Sequence, residues 1–240
     1  MKEIYNNENN KSMPMVDHFI ELRGRILVSL VVFILVTVIC LVYSKSITML
    51  LQKPALGIKF LQLAPGEYLF VSIKVALYFA LLISTPFIFY QISLFILPGL
   101  TKKESKYLII ILIGSISLFF SGIIFSYKLL LPITLNFLVN YGSDIIEPIW
   151  SFEEYFNFII VLLFSVAISF QIPVIQVILG ITNIIRPEKM LQSWKYVVFF
   201  SSIIAAIITP STDPMTQIIM SMMIVLLYLS GIFTLKILKE

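Results

Sequence analysis

The sequence predicts an all-α integral membrane protein with six transmembrane helices, and three observations predict it. First, 59% of the 240 residues are hydrophobic and only 12% are charged, with a mean hydropathy of +1.01. A water-soluble domain carries about 25% charged residues and no more than about half apolar ones. Second, the apolar residues gather into charge-free runs, several of them near the roughly 20 residues that cross a bilayer as a helix. Third, the basic residues are unevenly divided between alternate loops, as membrane insertion requires. These features exclude an ordinary soluble domain and a disordered chain. The one cysteine, Cys40, lies inside an apolar run and excludes an internal disulfide framework. A pI near 9 would suit nucleic acid, but the basic residues are scattered between apolar segments and face lipid headgroups instead, so no nucleic-acid partner is expected.

The runs place spans at about 26–43, 75–97, 107–127, 155–180, 196–208 and 218–235. The first has no charge in its whole length, and the second carries only Pro86 and Gln91 as interruptions. The third is the plainest. The fourth holds Gln171 and Pro173 near its middle, where a proline lacks a donor and clashes with the carbonyl four residues back, so a kink is expected. At 1.5 Å per residue the fifth reaches only about 20 Å, too short for an unperturbed bilayer. The sixth closes a domain expected to cover 15–240. Residues 1–14 are polar and Asn-rich, resemble neither a signal nor a transit peptide, and are expected to be disordered.

Sorting the basic residues by loop supports an even number of spans. One side receives Lys2, Lys11, Arg23, Arg25, Lys102, Lys103, Lys106, Arg186, Lys189, Lys195, Lys236 and Lys239. The other receives Lys45, Lys53, Lys59 and Lys128, with Lys74 at the mouth of the second span. That bias puts both termini on the cytosolic or stromal face.

The chain is not expected to be an enzyme. His18, the one histidine, precedes the first span; Asp17, Asp144 and Asp213 all read as loop or flank. No zinc motif H-E-x-x-H and no phosphate-binding G-x-x-x-x-G-K-[ST] occurs, so no metal or cofactor is expected.

Four polar clusters stand out. Asp17 to Arg25 precedes the first span, and its spacing pairs Glu21 with Arg25 one helical turn on. Pro98 to Tyr107 is a basic connector in which Thr101 and Glu104 have capping-box spacing. Gln171 is either glue between helices or the lining of a cavity. Ile208 to Gln217, with two prolines around a Ser/Thr/Asp group, reads as a turn. Lys74 is expected to snorkel outward or to pair with Glu67.

Together these clusters resemble the TatC family, the multispanning core of the twin-arginine protein translocase. The motifs are His18-Phe-Ile-Glu-Leu-Arg-Gly-Arg25, Ala64-Pro-Gly-Glu67, Thr85-Pro86 through Gln91, Phe95-Ile-Leu-Pro-Gly-Leu-Thr-Lys-Lys-Glu104, Ser169-Phe-Gln-Ile-Pro-Val174 and Ile208-Thr-Pro-Ser-Thr-Asp213. The resemblance implies a cupped six-helix fold with short fifth and sixth helices. It implies a receptor for the twin-arginine signal peptides of folded cargo, driven by the proton gradient and assembled with small single-span TatA/TatB-type subunits. It assigns signal-peptide binding to Glu21 and Glu104, with Leu22, Arg23, Phe95 and Lys102 beside them. Gln171, Pro173, Glu67, Thr209, Pro210 and Asp213 are assigned to the concave face and partner contacts. Many bacterial relatives carry a glutamate at the position of Gln171, so the neutral amide, with the isoleucine-rich composition, points to a plastid thylakoid membrane before a bacterial cytoplasmic one. Two other readings are weighed: a secondary transporter, which would want ionisable midplane groups and inverted repeats, and a passive assembly subunit in which Glu21 and Glu104 merely pair and cap.

Overall fold

Inside hydrocarbon every backbone N–H and C=O must find its partner within the protein, so the apolar runs become helices. The computed structural model describes residues 15–55, 57–99, 105–141, 149–209 and 213–239. The polar segment 1–14 lies outside them. In chain order the helices are α1 (Met15–Val42), α2 (Ser44–Gln52), α3 (Glu67–Ile96), α4 (Ser105–Phe125), α5 (Leu131–Asn140), α6 (Phe152–Ser169), α7 (Ile172–Ile181), α8 (Pro187–Gln192), α9 (Trp194–Ile208) and α10 (Pro214–Lys239). Two short strands, β1 (Lys59–Leu61) and β2 (Ile149–Ser151), pair in parallel, Lys59 opposite Ile149 and Leu61 opposite Ser151. Among the described residues five helical stretches are long and apolar enough to span a membrane, and α9 is a shorter apolar helix.

Three departures from the sequence reading have local causes. The third run does not stop at Tyr127. It passes through a π-helical turn, Ser126–Leu130, into α5. Pro132 cannot donate to the carbonyl four residues back, and in the widened turn the Leu131 N–H reaches Ser126 O instead. The fourth run is broken rather than kinked. Pro173 would clash with the carbonyl of Ser169, and α6 ends there, leaving Phe170 and Gln171 between it and α7. Finally, α10 is 26 residues long, so of the two closing helices only α9, with 15, is short. Capping at Asp213 lengthens α10 ahead of its apolar run: the carboxylate accepts from the backbone N–H (2.8 Å) and the hydroxyl of Thr216. The Thr216 hydroxyl in turn meets that of Thr134 in α5, 2.9 Å away.

The centre of the molecule is α6, whose Phe156, Ile159, Leu162 and Val166 are fully buried and which packs on α3, α4 and α9. Helix α1 lies against α3, and α10 packs on both α7 and α9. Outward apolar side chains such as Leu35, Val38 and Val42 are exposed, as a lipid-facing surface requires. At the end holding the strands, two tyrosines donate to carbonyls in the last turn of α2: Tyr127 Oη to Leu50 O (2.6 Å) and Tyr155 Oη to Leu51 O (2.9 Å).

Candidate functional site

Because α1 and α3 run antiparallel, the start of α1 meets the end of α3. The His18 ring stacks on Phe95 with centroids 4.2 Å apart and planes 14° from parallel. One turn further along α1, Glu21 pairs with Arg25: the guanidinium donates from Nε (2.9 Å) and Nη2 (2.5 Å) to the same oxygen, Oε1. A third guanidinium nitrogen, Nη1, donates to Gln91 Oε1 in α3 at 3.2 Å. The Glu21 and Arg25 side chains are only 22% and 24% exposed, so the pair is shielded from water on most sides. Below it opens an apolar cavity of about 380 Å³, lined by Leu22, Arg25, Phe33, Leu81, Gln91 and Phe95 among others. A half-buried carboxylate therefore sits at the rim of a greasy groove.

Of the six residues expected at this site, the structure brings Glu21, Leu22 and Phe95 together. Arg23 is exposed on a neighbouring face of α1. Lys102 and Glu104 lie outside the described residues, in the connection to α4. Gln91 and His18 stood within the motifs of the resemblance but were assigned no place in the site. Their spatial link to Glu21 and Phe95 depends on the antiparallel pairing of α1 with α3.

The described residues among those expected at the concave face divide among four places. Gln171 lines a second cavity, about 320 Å³, between α3, α4 and α7. Its Oε1 accepts from the Ser115 hydroxyl (2.7 Å) and its Nε2 donates to the Ser115 carbonyl (3.2 Å). The amide thus acts both as glue and as lining. It uses a donor and an acceptor at once, which an ionised carboxylate cannot do. Gln171→Glu is accordingly expected to lose the bond to the carbonyl and about 1 kcal/mol of stability, measurable as a lowered melting temperature in detergent. Pro173 is buried against α10, beside Gly231.

Glu67 lies at the opposite end of α3 and is 4% exposed. Its Oε2 accepts from the N–H groups of Leu63 (2.6 Å) and Ala64 (3.1 Å), and its Oε1 from that of Glu153 (2.9 Å). Gly66 makes this cradle possible: φ 80°, ψ 0° is the third position of a type II turn, open to glycine and strained for other residues. Lys74 pairs not with Glu67 but with two residues of α6, and its side chain stays partly exposed. Its Nζ donates to Asn157 (2.7 Å) and to Glu153 (3.3 Å), which α6 brings alongside. Thr209 and Asp213 are buried at the α9–α10 turn, with Thr209 Oγ1 donating to Ala205 O (2.9 Å). Pro210 lies outside the described residues.

The model of the Sec-independent protein translocase protein (TatC) family matches residues 17–222, most of the chain. The chain belongs to the TatC family. It is 62% identical over 231 residues to a tatC-like protein, ycf43, of Gracilaria tenuistipitata var. liui, covering 96% of this chain and 97% of the relative. It is 45% identical over 228 residues to the Sec-independent protein translocase protein TatC of Synechocystis, covering 95% of this chain and 90% of that one. With the chloroplastic TATC of Pisum sativum it shares 44% over 231 residues, 95% of this chain and 65% of the pea protein. The crystal structure of a twin-arginine translocase receptor, TatC, superposes with a TM-score of 0.80 at 32% identity, covering 93% of this chain and all of the other. This TatC-family chain is thus a mostly helical, multi-pass membrane protein with the TatC fold.

Proposed function

We propose that this chain is the cargo-signal receptor and organising core of a twin-arginine, Sec-independent translocase, moving folded proteins across an energised membrane at the expense of the proton gradient. The observation that carries the receptor role is the half-buried Glu21 carboxylate, already accepting a guanidinium, at the rim of the apolar cavity between α1 and α3. A cargo signal with consecutive arginines beside an apolar stretch suits both halves of that arrangement. One guanidinium engages Glu21, the apolar stretch lies along Leu22 and Phe95, and Glu104, with Lys102 nearby, offers a second carboxylate. The planar fork of arginine matches a carboxylate bidentately, while lysine brings a point charge.

The excess of basic residues at this end supports a stromal or cytosolic face for it, where cargo is made. The membrane is a plastid thylakoid, or else a bacterial cytoplasmic membrane, in keeping with chloroplast and cyanobacterial relatives. Small single-span subunits of the TatA/TatB type would complete a hetero-oligomer by packing on the apolar outer faces of α9 and α10.

The test is a peptide with two consecutive arginines and a photoreactive group, crosslinked to the full chain in membranes. Crosslinks are expected near Glu21, and Glu21→Gln with Glu104→Gln is expected to cut their yield about tenfold or more, the cost of losing charge-assisted hydrogen bonds. An unchanged yield would sink the receptor reading and leave a passive assembly subunit.

A further inference from the structure

The carboxylate assigned to the cargo arginine is not empty. We infer that Arg25 is a built-in competitor that occupies Glu21 until a ligand guanidinium displaces it; this inference rests on the receptor reading above.

Three features of the pair support a displaceable contact rather than a permanent brace. The guanidinium is not seated fork to fork. Both Nε and Nη2 converge on Oε1, and Oε2 is buried with no hydrogen bond among the described residues. The His18 Nδ1 stands 3.9 Å from Oε2, beyond hydrogen-bonding range. A carboxylate accepts most strongly when both oxygens are engaged, so a ligand arginine that takes Oε1 and Oε2 together gains a contact that Arg25 leaves unmade.

The second feature is the hold from α3. Nη1 of Arg25 donates to Gln91, an uncharged acceptor that remains when Glu21 is taken. Displacement therefore moves Arg25 from two acceptors to one and leaves it anchored at the groove wall. The third is position. Arg25 lines the same cavity as Leu22, Gln91 and Phe95, so the competing group and the incoming one share one space.

Physically this is a threshold. A site open for only a fraction of the time binds ligand more weakly by that fraction, and a partly exposed ion pair is worth up to about 1 kcal/mol. The competitor then lowers apparent affinity about fivefold. It does so by one factor for every cationic ligand, so poor ligands such as paired lysines fall out of the working range while paired arginines stay within it.

The experiment is a titration of the full chain in lipid nanodiscs with fluorescent peptides bearing two arginines or two lysines ahead of the same apolar stretch, read by anisotropy. Arg25→Gln is expected to tighten both peptides by about fivefold. Arg25→Lys, which keeps the charge but loses the fork, is expected to gain about half of that effect on a logarithmic scale. Unchanged or weaker binding by Arg25→Gln overturns the competitor, as does an Arg25→Lys protein indistinguishable from wild type, since charge alone would then account for any gain. If Arg25→Gln fails to fold, Arg25→Lys decides alone by the same criterion. Glu21→Gln separates the two readings. If wild type binds and Glu21→Gln does not, the receptor stands whatever Arg25 does. If wild type binds neither peptide, or Glu21→Gln binds both as well as wild type, the receptor and the competitor fall together.

Discussion

Gly231→Val is expected to force α10 away from α7 and to destabilise the protein by about 3 kcal/mol. A Cβ at position 231 would lie 1.9 Å from Gln176 Oε1 and 2.8 Å from the Cα of Pro173. The first atom ends a side chain and could swing aside if it had room, but Gln176 is buried. The second is backbone, just past the break between α6 and α7, and moving it moves the helix. The crossing is reciprocal. Gly180 on α7 faces Leu235 on α10, whose Cδ2 would stand 2.1 Å from an added Cβ, and Leu235 is fully buried. Each helix thus offers one small and one large residue a turn apart, and close approach of backbones is what holds helices together in lipid. Gly180→Ala should cost less, because it adds a single carbon and the three nearest atoms belong to the side chain of Leu235 rather than to backbone. Gly24→Ala, with nothing within 4 Å of the added carbon, should stabilise α1 by about 0.5–1 kcal/mol. Melting temperatures of the three variants in detergent check the order; a Gly231→Val protein as stable as wild type would mean that the crossing is not tightly packed.

Why this contact escaped the sequence reading is instructive. Within one helix, small residues four apart announce a packing face. Here the two glycines are on different helices, and each has a large residue at the matching position of its own helix. No local pattern exists to be read. The polar residues behaved similarly. The pairing of Glu21 with Arg25 was legible because both lie on one helix at i, i+4. Gln171 was legible as a polar group in an apolar run, but its partner Ser115 is 56 residues away. For Lys74 the nearest acid in sequence was Glu67, whereas the fold supplies Glu153 and Asn157, 79 and 83 residues on. The existence of the spanning helices followed from hydropathy, but that of the short α2 and α8 did not. Nor did helix ends, because Pro132, Pro173 and Asp213 act through backbone carbonyls and N–H groups that composition does not weigh.

Glu67→Ala is expected to loosen the whole end of the molecule opposite the candidate receptor site. This one carboxylate satisfies three backbone donors from two separate segments, Leu63 and Ala64 in its own turn and Glu153 in the first turn of α6. The last contact matters most. The first N–H groups of a helix have no partner within it, and the positive end of its dipole favours an anion. The Ser151 hydroxyl caps Glu154 N only at 3.4 Å, so Glu67 is the stronger of the two caps. Removing it frees Glu153, whose own carboxylate holds Lys74, and frees the loop whose β1 pairs with β2. The expected readout is a melting temperature lowered by several degrees, together with faster proteolysis between β1 and α3. Glu67→Gln keeps one acceptor oxygen but aims an NH₂ at the remaining N–H donors, so it should recover only part of the loss. Wild-type stability in Glu67→Gln would show that the charge is dispensable, and wild-type stability in Glu67→Ala that water replaces the carboxylate. The cradle lies at the far end of α3 from Phe95. Loosening that leaves arginine-peptide binding at Glu21 intact would therefore separate what holds the fold from what reads the cargo.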